Sequence, residues 1–371
     1  MRPDDCATPT SNGPLQQIKP DWVTRGLQCL PPEMAHNLAL GGLSKLASFI
    51  PPVSLPAGGA LASTCMGLRF RHPVCLAAGF DKKAQATHGL NRFGFAGMEV
   101  GSITPHAQAG NPQPRLFRLP KQRALINRMG FNSDGMDLAA QYLAQRNQDF
   151  IVGVNFGLNK GVDNYELQFR DLTCALAQDA DYITINLSSP NTPGLRNLLD
   201  PQHIETILHA VRGGLSSLGL TRPIVLKLSP DMDAVQEAEL LAELARTNID
   251  GVIVSNTTIT RDMLPATAAA RHQIGGLSGA PLAPTASAFL DRVVAALPTR
   301  VAVIASGGIG SGQDIYDRLR AGAHLVQIYT AFVYGGRQTV PTLLAQLQEY
   351  MMRDGVASVQ DITRKARRWL I

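Results

Sequence analysis

The chain has 371 residues, and its 34 Lys+Arg against 29 Asp+Glu leave a formal charge of only +5. With 45% hydrophobic and 17% charged residues, it holds enough apolar surface to fold, which excludes a disordered chain or a coiled coil. The mild basic excess comes without any Lys/Arg run interleaved with aromatics, so nucleic acid is not an expected partner. Five cysteines (Cys6, Cys29, Cys65, Cys75, Cys174) form no C-x-x-C pair and have no His at ligand spacing, so neither a disulfide framework nor a metal site is expected.

The opening residues, MRPDDCATPTSNGP, lack an apolar stretch and carry acids where a signal or transit peptide is basic, so export or organelle import is not expected. Helical patterns follow over 21–30 and 32–49. Asp21 is a candidate N-cap and Pro32 suits a first helical turn. In the second pattern Met34, Ala35, Leu38, Leu43, Leu46 and Ala47 recur at helical spacing, while Gly41-Gly42 costs about 1 kcal/mol per glycine relative to alanine. Residues 1–50 therefore predict a helical cap, either a packed cover or a lid that seeks a surface. The uncharged stretch 46–68 is long enough to span a bilayer, but Pro51, Pro52, Pro56, Gly58 and Gly59 break it, and 51–72 predicts a linker.

From residue 73 apolar runs alternate with helical patterns. The runs are 74–78, 97–103, 150–156, 182–188, 223–229, 251–256, 301–307 and 324–330. Most are nearly continuous, as parallel strands buried on both faces require. Eight such β/α units predict an α/β fold, a TIM (β/α)8 barrel over 73–371, with a long insertion at 104–149. At the C-terminus Val359, Ile362, Ala366, Trp369 and Leu370 share a helix face beside the basic Arg364, Lys365, Arg367 and Arg368. Such a tail either meets anionic lipid or packs on the barrel.

Chemistry in a TIM barrel sits at the C-terminal strand ends. Here those ends carry Gly79-Phe80-Asp81-Lys82, Gly101-Ser102, Asn155, Asn186 with Ser188-Ser189-Pro190-Asn191, Lys227, Ser255-Asn256-Thr257, Ser306-Gly307-Gly308-Ile309 and Tyr329-Thr330. The glycines after the seventh strand, with Gly275–Gly279 as a further glycine loop, suit a phosphate group. The rim has no His or carboxylate pair for hydrolysis. Its amides suit a planar ligand with amide edges, and Lys82 and Lys227 suit a carboxylate or a developing anion. A flavin and a pyrimidine acid fit that inventory.

These residues resemble the dihydroorotate dehydrogenases of the quinone-dependent, membrane-associated class. The likeness rests on LAAGFDK (76–82), PRLFRL (114–119), LINRMGFN (125–132), INLSSPNTPGLR (185–196), SNTT (255–258), GGLSGAPL (275–282), SGGI (306–309) and GAHLVQIYT (322–330). The resemblance implies FMN held by Ala78, Gly79, Phe80, Asp81, Lys82, Ser102, Asn155, Asn186, Lys227, Ser255, Gly279, Gly308, Tyr329 and Thr330. It implies substrate contacts from Lys82, Asn127, Arg128, Met129, Gly130, Phe131, Asn186, Asn191, Asn256 and Thr257, and a serine base at Ser189. His36 and Arg118 match positions lining the quinone entrance. The implied reaction takes a proton from C5 of dihydroorotate through Ser189, with Asn191 and Thr192 as relay candidates, and a hydride from C6 to flavin, giving orotate in pyrimidine biosynthesis. Quinone then reoxidises the flavin, at the cytoplasmic face of the cell membrane. Two departures stand out: Leu158 lies where a lysine is usual, in a shortened loop, and Ser102 and Ser255 lie where threonine is common. The residues themselves leave open a soluble FMN barrel acting on another dihydropyrimidine, for which a Cys base and no cap are expected, or a flavin barrel that has lost activity.

Overall fold

The eight apolar runs pair into parallel ladders because both faces of each strand are covered, one by the barrel interior and one by helices. The protein is described by a computed structural model over residues 18–56, 59–161, 164–191, 195–268 and 270–368. Its strands are β1 (Ser63–Cys65), β2 (Leu68–Phe70), β3 (Val74–Leu76), β4 (Gly97–Ile103), β5 (Leu116–Leu119), β6 (Ala124–Asn127), β7 (Ile151–Phe156), β8 (Tyr182–Ile185), β9 (Ile224–Lys227), β10 (Gly251–Val254), β11 (Gly276–Gly279), β12 (Ala302–Ser306) and β13 (Leu325–Ile328). Eight of them close into a barrel in the order β10-β12-β13-β3-β4-β7-β8-β9, with registers such as Val74↔Val326 and Met98↔Val152. This is the TIM barrel expected from the sequence.

Several predicted strands run past the observed ones at their C-terminal ends. The run 182–188 ends its ladder at Ile185 and 251–256 at Val254. Beyond those points the regular ladder gives way to single bonds, Asn186 N–H to Phe156 O at 3.2 Å and Asn256 N–H to Leu228 O at 3.0 Å, and the polar side chains turn toward the barrel mouth.

The other pole is plugged by the β1–β2 hairpin. Phe70 and Met66 lie so close to the first residues of β4 and β10 that a Cβ on Gly97 would come within 3.2 Å of the Phe70 ring, and one on Gly251 within 3.0 Å of Met66 Sδ. The 104–149 insertion forms the β5–β6 hairpin and helix α4 (Met136–Leu143, counting from the cap helices below). Here the structure corrects the reading of Gly275–Gly279 as a glycine loop. Gly276–Gly279 is strand β11, antiparallel to β6. Its glycines admit the hairpin backbone: a Cβ on Gly275 would lie 2.3 Å from Asn127 O, and one on Gly279 2.3 Å from Arg123 O.

The cap consists of α1 (Trp22–Gln28) and α2 (Pro32–Lys45). Asp21 caps α1, accepting the Thr24 N–H at 2.8 Å. Arg118 on β5 closes its other end, donating to Gln28 O at 3.0 Å and Leu30 O at 2.7 Å. Glu33 on α2 pairs with Arg115 at 2.7 Å. The face of α2 that packs inward is Ala35, Leu40 and Leu43, whereas Met34, Leu38 and Leu46 are exposed, so the helix carries two apolar faces rather than one. Neither Gly41 nor Gly42 would bring a Cβ within 4 Å of another atom. Gly41→Ala is therefore expected to stabilise the protein by up to about 1 kcal/mol, read as a higher midpoint in urea unfolding.

Helices α3 (Thr87–Arg92), α5 (Tyr165–Leu176), α6 (Pro201–Ser217), α7 (Ala234–Arg246), α8 (Ala283–Ala296), α9 (Gly312–Arg320), α10 (Thr330–Gly335) and α11 (Thr339–Arg353) surround the barrel. The last helix, α12 (Val359–Arg368), packs at the pole opposite the cap. Val359 and Ile362 are buried, Thr363 donates to Ala323 O at 3.0 Å, and the buried Arg367 donates to Val301 O. The tail thus takes the packed alternative: Arg367 is turned inward, so it cannot share a lipid-facing surface with the exposed Arg364 and Lys365. Trp369 and Leu370 lie outside the described residues. Among the described residues no helix is long and apolar enough to cross a membrane.

Candidate active site

The strand ends and the β5–β6 hairpin enclose one cavity at the barrel mouth. Of the residues expected around a cofactor, Ala78, Gly79, Lys82, Ser102, Asn186, Lys227, Ser255, Gly279, Gly308, Tyr329 and Thr330 line it. So do Asn127, Met129, Gly130, Phe131, Asn191, Asn256, Thr257 and Ser189 from the substrate and base set. The chain reaches this shape through left-handed backbone at Gly79, Gly279, Gly307 and Gly308 (φ +105°, +95°, +100° and +74°), which glycine adopts without strain.

Four expected residues lie elsewhere. Arg128 points out of the cavity, because successive residues of an extended chain face opposite ways and its neighbour Asn127 faces in. Its guanidinium lies 4.7 Å from the Phe117 ring centroid and donates to Pro114 O at 2.6 Å. Asp81 is buried and holds the turn after β3, accepting the N–H groups of Lys83, Gln85 and Ala86. Phe80 packs edge-on against His36, with ring centroids 5.1 Å apart. Asn155 lies one layer below the cavity floor, where its Oδ1 accepts from Ser102 and from Asn186 Nδ2 at 3.1 Å.

The two serines of SSPN divide cleanly. Ser188 is locked into the amide network, donating to Asn186 Oδ1 at 3.1 Å and accepting from Asn256 Nδ2 at 2.9 Å. Ser189 faces the cavity, and its Oγ accepts the Asn191 N–H at 3.3 Å. Asn191 is thus a donor to Ser189 and cannot receive a proton through that bond. Thr192 lies outside the described residues.

Lys82 donates to Asn132 Oδ1. Burial, aided by repulsion from Arg115, pushes its pKa down to about 7, against the opposing pull of Glu33 and Asp134. Burial likewise lowers Lys227, while Glu99 holds it up. His36 is pushed down to about 4, chiefly by burial, so it is neutral at physiological pH.

A second cavity, of about 780 Å³, lies under the cap between α1, α2 and α10. Arg118 and Phe332 line it, and His36, Leu116, Leu125 and Tyr329 line both cavities and form the wall between them. Its outer rim is apolar and open: Trp22 and Phe49 are 84% and 83% exposed, and Leu38 and Leu46 join them.

A sequence model of the family described as dihydroorotate dehydrogenase matches residues 60–351. The chain belongs to that family. It is 42% identical over 334 residues to dihydroorotate dehydrogenase (quinone) of Sphingopyxis alaskensis, covering 89% of this chain and 92% of that protein. It is 36% identical to the mitochondrial dihydroorotate dehydrogenase (quinone) of Oryza sativa over 376 residues, covering 92% of this chain and 80% of that protein. Among solved structures it is similar to Eimeria tenella DHODH in complex with ferulenol, with a TM-score of 0.86 and 35% identity over 92% of this chain and 98% of that one.

Gln327, inside β13, lines the mouth cavity, and its buried Oε1 has no partner among the described residues. Glu99 lies fully buried in β4. Both sit in the middle of apolar runs, where the only signal was a polar residue in a strand otherwise buried on both faces. Leu158 is buried in the core and its carbonyl accepts from Gln108 Nε2 at 3.4 Å, the same group that donates to Phe131 O at 2.8 Å.

Proposed function

We infer that this protein oxidises dihydroorotate to orotate in pyrimidine biosynthesis and passes the electrons to a membrane quinone. The observation that carries this reading is the pair of cavities, one rich in amides and lysines with Ser189 in it, the other apolar and opening at an exposed apolar rim, which share His36, Leu116, Leu125 and Tyr329 as a common wall. FMN fits the first cavity: left-handed glycines admit a close ligand, and the orphaned Gln327 Oε1 calls for a donor. When bound, FMN supplies the hydride acceptor and the store from which quinone takes electrons. Ala78, Gly79, Ser102, Asn186, Lys227, Ser255, Gly279, Gly308, Tyr329 and Thr330 would hold it, with Asn155 supporting Asn186 from below.

Asn127, Asn191, Asn256 and Thr257 present amide and hydroxyl groups to the ring amides of the substrate, and Lys82 presents a cation to its carboxylate. Ser189 takes the C5 proton. A neutral hydroxyl is a weak base. The Asn191 N–H fixes its Oγ in place and leaves a lone pair for the substrate proton, while the hydroxyl hydrogen that Ser189 gives up passes to solvent.

The Lys82 pKa sets a pH dependence. The complex with a carboxylate favours the cation, whereas the free site loses its proton as pH rises through about 7. Binding above that pH must take up a proton, so orotate affinity falls as pH rises, by up to about tenfold per unit. Calorimetry in two buffers of different ionisation heat should show the proton uptake, and Lys82→Met should abolish it.

The exposed rim of the second cavity suits a peripheral contact with the cytoplasmic face of the membrane, where an apolar acceptor is dissolved. Trp22→Ser with Phe49→Ser should reduce sedimentation with lipid vesicles, whereas Arg364→Gln with Lys365→Gln, at the opposite pole, should not. The reaction itself is tested by anaerobic bleaching of the yellow protein with dihydroorotate, followed by reoxidation with a quinone analogue but not with NAD or fumarate.

A further inference from the structure

β4 places a carboxylate inside the barrel that the reaction above does not use. Glu99 is fully buried. Its Oε1 accepts from Asn155 Nδ2 at 2.7 Å, and its Oε2 accepts from Thr184 Oγ1 at 2.9 Å, Gln327 Nε2 at 3.1 Å and Tyr182 OH at 3.4 Å. The buried Lys227 on β9 feels the charge of Glu99, which opposes the effect of burial on the lysine. A buried carboxylate is costly unless donors and a cation answer it, and here strands β7, β8, β9 and β13 all contribute to doing so.

The direction of these bonds carries the argument. A carboxylate only accepts, so the part of Asn155 that faces Glu99 must be its NH2 group. Asn155 Oδ1 is then turned toward the mouth, where it accepts from Ser102 Oγ and Asn186 Nδ2. Asn186 in turn presents its Oδ1 to Ser188 Oγ at 3.1 Å and Asn256 Nδ2 at 3.4 Å. The same rule applied to Gln327, which lines the cavity, sends its Nε2 to Glu99 and leaves its buried Oε1 as an acceptor unpartnered among the described residues. The amides of Asn155, Asn186, Asn256 and Gln327 therefore point as they do because the lowest group only accepts. With a neutral amide at position 99, Asn155 could take either orientation and the chain above it would lose its single polarity.

We propose that Glu99 is a positioning residue for the barrel mouth: it orients the Asn155–Asn186–Asn256 amides and Gln327, and balances the charge of Lys227. This rests on the reading of the mouth as a flavin site. The test is a double-mutant cycle of Glu99→Gln and Asn155→Asp, read by FMN affinity of the apoprotein, by the flavin midpoint potential and by the thermal midpoint of the FMN-free protein. Glu99→Gln frees the amides to flip. Asn155→Asp sets two carboxylates face to face. Each single variant is expected to bind FMN at least about tenfold more weakly. In the double variant the new amide donates to the new carboxylate, which again accepts from Ser102 and Asn186, so FMN binding should recover at least about tenfold over either single change. Its flavin potential should fall below that of the wild type, because the negative charge has moved one residue nearer the cavity. A purely structural carboxylate predicts no such recovery and no such shift.

The proposal is overturned if Glu99→Gln binds FMN like the wild type, or if the double variant is no better than Asn155→Asp alone. Should Glu99→Gln fail to fold, the second comparison decides by itself. If the wild type takes up no FMN, the flavin reading fails, and the coupling between the two changes in the FMN-free thermal midpoint still decides the orientation claim.

Discussion

Ser189→Ala is expected to give a folded, yellow protein that dihydroorotate bleaches about 10² to 10⁴ times more slowly, the usual cost of removing a general base. The fold should tolerate the change. Ser189 Oγ accepts one described hydrogen bond, from the Asn191 N–H, and losing that bond costs on the order of 1 kcal/mol. Stopped-flow absorbance of the flavin under anaerobic conditions measures the effect, and a near-normal rate would remove Ser189 from the mechanism. The neighbouring Ser188→Ala supplies the contrast. Ser188 bridges Asn186 and Asn256, so its loss should loosen the amide network and weaken ligand binding rather than stop proton removal. Two adjacent serines thus yield different failures, one in rate and one in affinity.

Filling the cavity under the cap should divide the two half-reactions. Gly42 lines that cavity and a Cβ there meets nothing within 4 Å. Gly42→Phe can therefore be accommodated on α2, where it also removes a helix-weakening glycine, while its ring occupies the apolar space. Reduction of the flavin by dihydroorotate should be unchanged, and steady-state turnover with a long-tailed quinone should fall by roughly tenfold or more, since an apolar ligand displaced from its pocket loses most of its buried surface. Unchanged turnover would mean that quinone reaches the flavin by another path. A point substitution separates the half-reactions more cleanly than deletion of residues 1–50. Deletion would also break the Glu33–Arg115 ion pair and the Arg118 bonds to α1, and both arginines sit on or next to the hairpin that carries the substrate segment.

The local pattern determined the barrel. Eight runs of apolar residues can be buried on both faces only as parallel strands between helices, and that requirement holds strand by strand, without knowledge of the neighbours. The motifs at the strand ends were legible for the same reason: a Ser or Asn directly after such a run must emerge at the mouth. What the sequence could not decide was which way a side chain turns once the chain leaves the ladder, and what lies opposite it. Asn127 and Arg128 are adjacent in one motif, yet pairing with β11 fixes one toward the cavity and the other onto Phe117. Gly276–Gly279 had the composition of a phosphate loop and became a strand because a hairpin over 100 residues away needed an edge to pair with. The apolar residues of the tail fell near one helix face with basic residues beside them, but burial of Arg367 depends on the position of the Val301 carbonyl in a different unit of the barrel. Glu99 was one polar letter in an apolar run. Its meaning comes from donors on β7, β8 and β13, and only closure of the barrel brings those strands around one carboxylate.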